Sequence, residues 1–212
     1  MLRVPNHFQI EDHGRHYDLR LVSEDGTNRL TRACVLALTN AVLALREIPK
    51  PVIVAGNAKF FSAGADLAEI QSLTASSGYE FAKLGQRLLR AIEQFPAPVY
   101  AAVQGYCMGG GLDLALACHS RIASPHAVFG HRGAALGLVT GWGGTQRLAR
   151  LVGKARALAM FIAAEKLHAQ GAFGIGLVDA VVEDPVAEAR RGIQNAAPSE
   201  DHARANPSAL QP

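Results

Sequence analysis

The sequence predicts an α/β fold with mainly parallel strand pairing, and two observations support this class. Short apolar runs alternate along the chain with segments whose apolar residues recur at helical spacing. The runs at residues 51–55 and 99–104 are bounded by turn residues and lack the polar alternation of a half-exposed strand. Strands that are buried on both faces and joined through helices pair in parallel, which is typical of this class.

The first half of the chain begins with a strand, a turn and a helix. Residues 17–22 alternate polar and apolar side chains, as a half-buried strand does, and residues 23–28 form a polar turn. Thr31 is predicted to cap a helix that ends before Pro49 and Pro51, since proline cannot continue it. The elements that follow are predicted in this order: strand 51–55, loop 56–66, short helix 67–72 and amphipathic helix 79–95.

The second half continues the alternation of strand and helix. The predicted elements are strand 99–104, glycine-rich turn 105–111, helix 112–118, glycine-dense segment 128–144, helices 145–152 and 154–167, and strand 177–182. From residue 183 the composition shifts to alanine, proline and charge. We therefore expect one core over residues 1–182, followed at 183–212 by a helix to about Asn195 and a flexible tail.

The composition excludes several classes of function. With 49% hydrophobic and 18% charged residues among 212, the chain resembles an ordinary globular domain. A net charge of +3 without a basic stripe argues against nucleic acid as a partner. The three cysteines, Cys34, Cys107 and Cys118, lie in apolar settings and are expected to be reduced core residues. The histidines show no convincing metal-ligand spacing, so no metal is expected.

The location of the chain is also constrained by its apolar segments. The amino-terminal residues lack the pattern of a secretory signal, and no apolar stretch is long enough to cross a bilayer. We therefore expect a cytoplasmic protein that does not contact a membrane.

Two glycine-rich segments carry the chemistry that the sequence indicates. Residues 61–66 and 105–113 each follow a predicted strand and precede a predicted helix. The first N–H groups of a helix have no internal partner and favour an anion or a developing oxyanion. Small residues also permit a tight turn that binds nothing, so each segment alone is weak evidence.

Together with two later segments, these motifs resemble the crotonase family of enoyl-CoA hydratases and isomerases. The resemblance rests on residues 61–67, 98–113, 136–147 and 176–179, and it extends from about Tyr17 to Val182. It implies a spiral of ββα units, here with a shortened C-terminal helical region. It also implies an acyl-CoA thioester as substrate, with coenzyme A as part of that substrate and no other cofactor, and a homotrimer or a dimer of trimers.

The resemblance implies roles for particular residues. The backbone N–H groups of Ala65 and Gly110 would bind the thioester oxygen, and Asp113 would act as the acid/base group. The residues expected to contact the substrate are Ser62, Ala63, Asp66, Leu67, Gly109 and Gly133. Tyr106 and Cys107 are interpreted as packing residues, and Trp142 either as a wall of the acyl pocket or as core.

The chain departs from the family pattern at its carboxylates. Asp113 stands where hydratases carry a glutamate, and Gly133 stands where they carry the second one. Asp113 would also stabilise a helix N-terminus without any catalysis. For the neighbouring His131 and Arg132 two interpretations stay open: they supply a proton or bind a phosphate or carboxylate, or, as preferred, they are polar residues of a surface loop. Two functions stay open: an enzyme in which Asp113 alone moves protons, and a non-catalytic acyl-CoA-binding or assembly protein.

Overall fold

The described part of the chain contains thirteen short strands, eight α-helices and a short 3-10 helix at Gly133–Leu136. The computed structural model describes residues 2–4 and 7–196. The strands are β1 (Leu2–Val4), β2 (Phe8–Asp12), β3 (Tyr17–Leu21), β4 (Arg29–Leu30), β5 (Val52–Ala55), β6 (Phe60–Ser62), β7 (Gly64–Ala65), β8 (Val99–Val103), β9 (Tyr106–Met108), β10 (Ser120–Ala123), β11 (Val128–Gly130), β12 (Leu167–His168) and β13 (Ala180–Val181). The helices are α1 (Arg32–Leu45), α2 (Leu67–Gln71), α3 (Ala75–Glu93), α4 (Gly110–Ala117), α5 (Gly144–Val152), α6 (Lys154–Ile162), α7 (Ala169–Gly174) and α8 (Pro185–Asn195).

The larger of the two main sheets has seven strands and is called the large sheet. Its strand order is β1-β2-β3-β5-β8-β10-β13. The first three strands pair antiparallel, whereas β3, β5, β8, β10 and β13 pair in parallel. The predicted parallel pairing is therefore confirmed for the centre of the sheet, and the antiparallel edge at β1 and β2 was not predicted.

A four-stranded sheet, the small sheet, has the order β12-β11-β9-β6, and β4 pairs separately with β7. Along the chain, strands β5, β8 and β10 of the large sheet are followed by β6, β9 and β11 of the small sheet, respectively. A helical segment comes after each of these pairs. The fold therefore repeats a strand-strand-helix unit, although no repeat is visible in the sequence. The small-sheet strands lie in segments predicted as loops or glycine-rich turns, because two or three residues are too few to show a period.

The helices follow their caps and their apolar faces. The Thr31 hydroxyl accepts a hydrogen bond from the Cys34 N–H, which confirms the predicted start of α1. Helix α3 begins four residues before the predicted start, because Thr74 and Ser77 form a capping box. Helix α6 ends at Ile162 rather than at Leu167, and Ala164 takes a left-handed conformation just beyond it.

The main core lies between the large sheet and helices α1, α3 and α4. Alternate residues of β5 face opposite sides, so Val52 and Val54 enter this core while Ile53 packs with Ile193 of α8. The helix predicted at the start of 183–212 is thus present and packs on the large sheet, whereas the predicted tail falls on 197–212, outside the described residues.

Helix α4 is buried almost all round. Every residue from Gly111 to Ala117 is buried, and a helix without a polar face belongs to the interior. It packs against α3, α5 and the small sheet, so its first turn is held at a fixed place between the layers.

The cysteines are free and buried, as predicted. Burial raises the pKa of Cys34 and of Cys118 to about 12 and raises that of Cys107 well above its ordinary value.

Among the helices of residues 7–196, none is long and apolar enough to cross a membrane.

Truncation of Phe129 tests the role of the small sheet in stability. Phe129 is fully buried in β11, so Phe129→Ala is expected to lower the free energy of unfolding by about 3–5 kcal/mol through lost contacts and a cavity. Phe173→Ala, at a half-exposed phenylalanine, is the control and should change it by about 0.5 kcal/mol. Urea unfolding measures both, and equal losses would contradict the assignment of the small sheet to the core.

Candidate functional site

Two glycine-rich segments meet at the start of α4. A Cβ added at Gly110 would lie 3.2 Å from the Ala65 nitrogen, and one added at Gly64 would lie 3.0 Å from the Gly110 nitrogen. Gly64 and Gly109 have φ angles of +96° and +51°, which side chains rarely tolerate. The structure therefore brings together the two loops singled out in the sequence, with the Ala65 and Gly110 nitrogens side by side.

The N–H group of Gly110 has no acceptor within its own helix. The first helical hydrogen bond of α4 runs from the Asp113 N–H to the Gly109 carbonyl, over 3.0 Å. The Gly109 N–H is already used, since it donates to the Gly130 carbonyl over 2.9 Å. The Gly110 N–H at the helix N-terminus can therefore donate a hydrogen bond to a negatively charged oxygen.

A cavity of about 430 Å³ opens beside these two nitrogens. Its lining is mostly apolar and includes Leu67, Phe81 and Trp142. The predicted site residues that line it are Ala63, Ala65, Leu67, Gly109, Gly110, Asp113 and Gly133. An apolar cavity with a few convergent polar groups is what a small-molecule site requires.

Ser62 and Asp66, predicted to contact the substrate, hold the first loop in shape and do not line the cavity. The Ser62 hydroxyl donates to the Asn28 carbonyl (2.7 Å) and accepts from the Gly64 N–H (3.1 Å). The Asp66 carboxylate accepts from the Ala68 and Glu69 N–H groups and caps α2. Both side chains have therefore found partners within the protein.

Asp113 places a buried carboxylate in the cavity wall. Its side chain is 1% exposed, in the first turn of α4. One carboxylate oxygen, Oδ2, accepts a hydrogen bond from the Thr140 hydroxyl, and the other, Oδ1, lies 3.0 Å from His131 Nε2. Helix capping alone needs no such partners, so the environment of Asp113 goes beyond a surface dipole contact.

The interpretation of His131 as a surface residue is wrong. His131 is 4% exposed, lines the cavity, and has its ring 5.0 Å from that of Phe161. It comes directly after β11, a strand that the glycine-dense sequence concealed, and the strand carries it inward. Arg132, in contrast, is exposed and contributes to the lining.

Gly133 has no room for a side chain in this conformation. A Cβ there would lie 2.6 Å from the Leu138 carbonyl oxygen, and the Leu138 N–H donates to the Gly133 carbonyl over 2.9 Å. A carboxylate at this position would need the segment 133–138 to change its path.

The predicted packing residues near the glycine turn divide between core and surface. Trp142 is both core and cavity wall, because it is buried, lines the cavity, and donates from Nε1 to the Phe81 carbonyl over 3.2 Å. Cys107 is fully buried, while Tyr106 is partly exposed and packs on Phe60 at 5.5 Å between ring centroids.

A second group of polar side chains lies away from the cavity. His13, His16 and Asp18 bring their ligand atoms within 4.8 Å of one another, a proximity that the sequence spacing did not indicate. Asp18 already accepts from Arg190, and a guanidinium at the carboxylate opposes a metal ion there. Desolvation lowers the pKa of His16.

The chain is similar to enoyl-CoA hydratases in sequence and structure. The family model described as enoyl-CoA hydratase/isomerase matches residues 19–210. A crotonyl-CoA hydratase of Syntrophomonas wolfei is 43% identical over 159 residues, which are 74% of this chain and 61% of that protein. A probable enoyl-CoA hydratase of Bacillus subtilis is 43% identical over 136 residues, which are 64% of this chain and 53% of that protein. The matched segments thus span about half to three fifths of these curated relatives.

Solved structures give the same result for the fold. DspI of Pseudomonas aeruginosa superposes with a TM-score of 0.82 at 33% identity, over 91% of this chain and 80% of that chain. An enoyl-CoA hydratase of Bacillus anthracis superposes with a TM-score of 0.80 at 32% identity, over 88% and 73%. The predicted α/β fold with crotonase-like ββα units is thereby confirmed.

A matched pair of glycine substitutions tests the packing around Asp113. A Cβ at Gly144 would lie 1.9 Å from Asp113 Oδ1, so Gly144→Ala is expected to lower the free energy of unfolding by about 1–3 kcal/mol. Gly174→Ala, in α7 with open space around it, should be neutral or raise it by about 0.5 kcal/mol. Equal effects of the two in urea unfolding would show that the carboxylate does not occupy the described position.

Proposed function

The chain belongs to the enoyl-CoA hydratase/isomerase family of the crotonase superfamily, and we propose that it binds an acyl-CoA thioester and stabilises its enolate. The single observation that carries this proposal is the juxtaposition of the Ala65 and Gly110 nitrogens beside a buried carboxylate. The reaction that fits is hydration or isomerisation of an enoyl-CoA.

The two backbone N–H groups would receive the thioester oxygen. As a bond forms at C3 or a proton leaves C2, negative charge moves onto that oxygen, and fixed donors in a water-poor place stabilise it. The dipole of α4 adds to the effect, because its positive end lies at Gly110. Both donors are main-chain groups on rigid elements and need no reorganisation during the reaction.

As the acid/base group of isomerisation, Asp113 would transfer the proton between carbons. In isomerisation, its carboxylate takes a proton from C2 of a 3-enoyl-CoA, the electrons form a dienolate, and the proton returns at C4. A buried carboxylate held by the Thr140 hydroxyl is fixed in orientation, which general acid/base catalysis requires. Gly133 stands at the position of the second family carboxylate, and among the described residues that line the cavity the one carboxylate is Asp113.

The apolar part of the cavity would hold the acyl chain. Leu67, Phe81 and Trp142 line this part, and the coenzyme A portion would pass the loop formed by Ser62, Ala63, Asp66 and Leu67. The Ser62 and Asp66 side chains already make hydrogen bonds to backbone groups. These two residues would therefore contribute to coenzyme A binding by fixing the backbone conformation of the loop.

An isosteric substitution of Asp113 tests the proposed reaction. Asp113→Asn keeps an acceptor for Thr140 but cannot take a proton, so kcat with a short 2-enoyl-CoA or 3-enoyl-CoA is expected to fall at least about 100-fold. Binding of a saturated acyl-CoA, measured by calorimetry, should change less than about threefold. Glu24→Gln, an amide replacement of an exposed acid, is the control and should leave kcat unchanged.

Two results would contradict the enzyme proposal. Unchanged kcat in Asp113→Asn would remove this residue from the mechanism. Binding of CoA esters by the native protein without turnover of either enoyl ester would favour a non-catalytic acyl-CoA-binding protein, the alternative that Gly133 suggests.

We also propose that the chain assembles into a trimer or a dimer of trimers. Leu158 and Ile162 lie four residues apart on α6 and are both exposed, which is typical of a surface that another subunit covers. Light scattering after size exclusion is expected to give three or six times the chain mass. Leu158→Glu with Ile162→Glu should reduce that mass, while a monomeric native protein would contradict the proposal.

A further inference from the structure

Two ionisable side chains of opposite character meet in the cavity wall. Among the described residues that line the cavity, the charged or titratable ones are Asp113, His131 and Arg132, and the first two are buried. A buried carboxylate and a buried imidazole seldom occur without a partner or a function.

The contact between them is short but poorly aligned. Asp113 Oδ1 lies 3.0 Å from His131 Nε2, yet the angles are not those of a hydrogen bond, and neither atom has another partner in residues 7–196. The two atoms are therefore within proton-transfer distance of each other, and both lack a hydrogen bond. Unsatisfied buried groups beside a cavity indicate that a ligand or a water completes their bonding.

We infer that His131 is a second catalytic residue, which together with Asp113 carries the two proton transfers of enoyl-CoA hydration. This inference rests on the proposed function and extends it from one acid/base group to two. It assigns to an imidazole the task that a second carboxylate has in the family pattern, since Gly133 offers no side chain at that position.

The pair holds one transferable proton, which begins on His131. A water O–H bond breaks as its oxygen bonds to C3 of the 2-enoyl-CoA, and the released proton goes to the Asp113 carboxylate. The electrons of the C2–C3 double bond move onto the thioester to form the enolate at Ala65 and Gly110. The His131 N–H bond then breaks, its proton bonds to C2, and the enolate returns to a thioester.

The same contact restores the starting state. After one turnover the proton lies on Asp113 and His131 is neutral, so the pair has kept its proton count. Transfer of that proton from Asp113 to His131 across the 3.0 Å contact resets the site without exchange with bulk solvent. Because the Thr140 hydroxyl binds the other carboxylate oxygen, Oδ1 stays directed at the ring.

Substitution of His131 tests the inference through activity. His131→Gln is expected to lower kcat for hydration about 100-fold or more, with KM within about threefold, because the ring acts on the bound ester. His126→Gln, at an exposed histidine, is the control. Should His131→Gln fold poorly, His131→Gly with added imidazole replaces it, and recovery of hydration by imidazole supports the inference.

Nuclear magnetic resonance of the histidine rings separates this inference from the proposed function. Binding of butyryl-CoA to the native protein should shift the ring nitrogen signals of His131 and leave those of His126 in place. If Asp113→Asn loses activity while His131→Gln retains it, the inference fails and the proposed function stands. If the native protein isomerises a 3-enoyl-CoA but hydrates no 2-enoyl-CoA, the inference fails and the proposed function stands. If it turns over neither ester, the proposed function fails, and unmoved His131 signals overturn the inference independently.

Discussion

The close approach of the Gly64 backbone to the first residue of α4 is the contact on which the cavity depends. A Cβ at Gly64 would lie 2.6 Å from the Met108 carbonyl oxygen, and one at Gly111 would lie 2.7 Å from the Ser62 carbonyl oxygen. Side chains at either position would force the two loops apart. The two sets of backbone donors can therefore meet only if glycine stands at these positions. Glycine loses more conformational entropy on folding than other residues, and this loss lowers the free energy of unfolding.

The buried carboxylate imposes a second constraint on the same region. Removing a charge from water is unfavourable unless other groups satisfy it. The Thr140 hydroxyl donates to one oxygen of Asp113, and the other oxygen lies 3.0 Å from His131 Nε2. Both partners belong to the segment that follows β11, so the carboxylate fixes that segment against α4. Gly144 completes the arrangement, because any larger residue there would occupy the place of the carboxylate oxygen. The contacts of Asp113 thus determine both the orientation of its carboxylate and the position of the loop that follows β11.

Where a pattern extends over many residues, the sequence predicts the element correctly. Thr31 and the apolar spacing behind it located α1, and the run that contains Val54 located a central parallel strand. The small sheet escaped prediction, because strands of three residues or fewer form only through pairing with distant partners. His131 escaped for the same reason: its burial follows from β11, and β11 is recognisable only beside β9. The sequence predicts the loops of the candidate site because glycine-rich segments indicate tight backbone turns. The contact between Asp113 and His131 is not visible in the sequence, since it depends on tertiary structure.

The ion pair between Asp18 and Arg190 joins residues 172 positions apart, and α8 covers one face of the large sheet. During synthesis on a ribosome, the amino-terminal strands and the units around α4 emerge long before this helix does. Until then the sheet face formed by Ile53 and Ala102 is exposed to water and to other chains. The last helix of the described chain covers this face only after it has emerged, so before that the apolar face is available to chaperones and to aggregation.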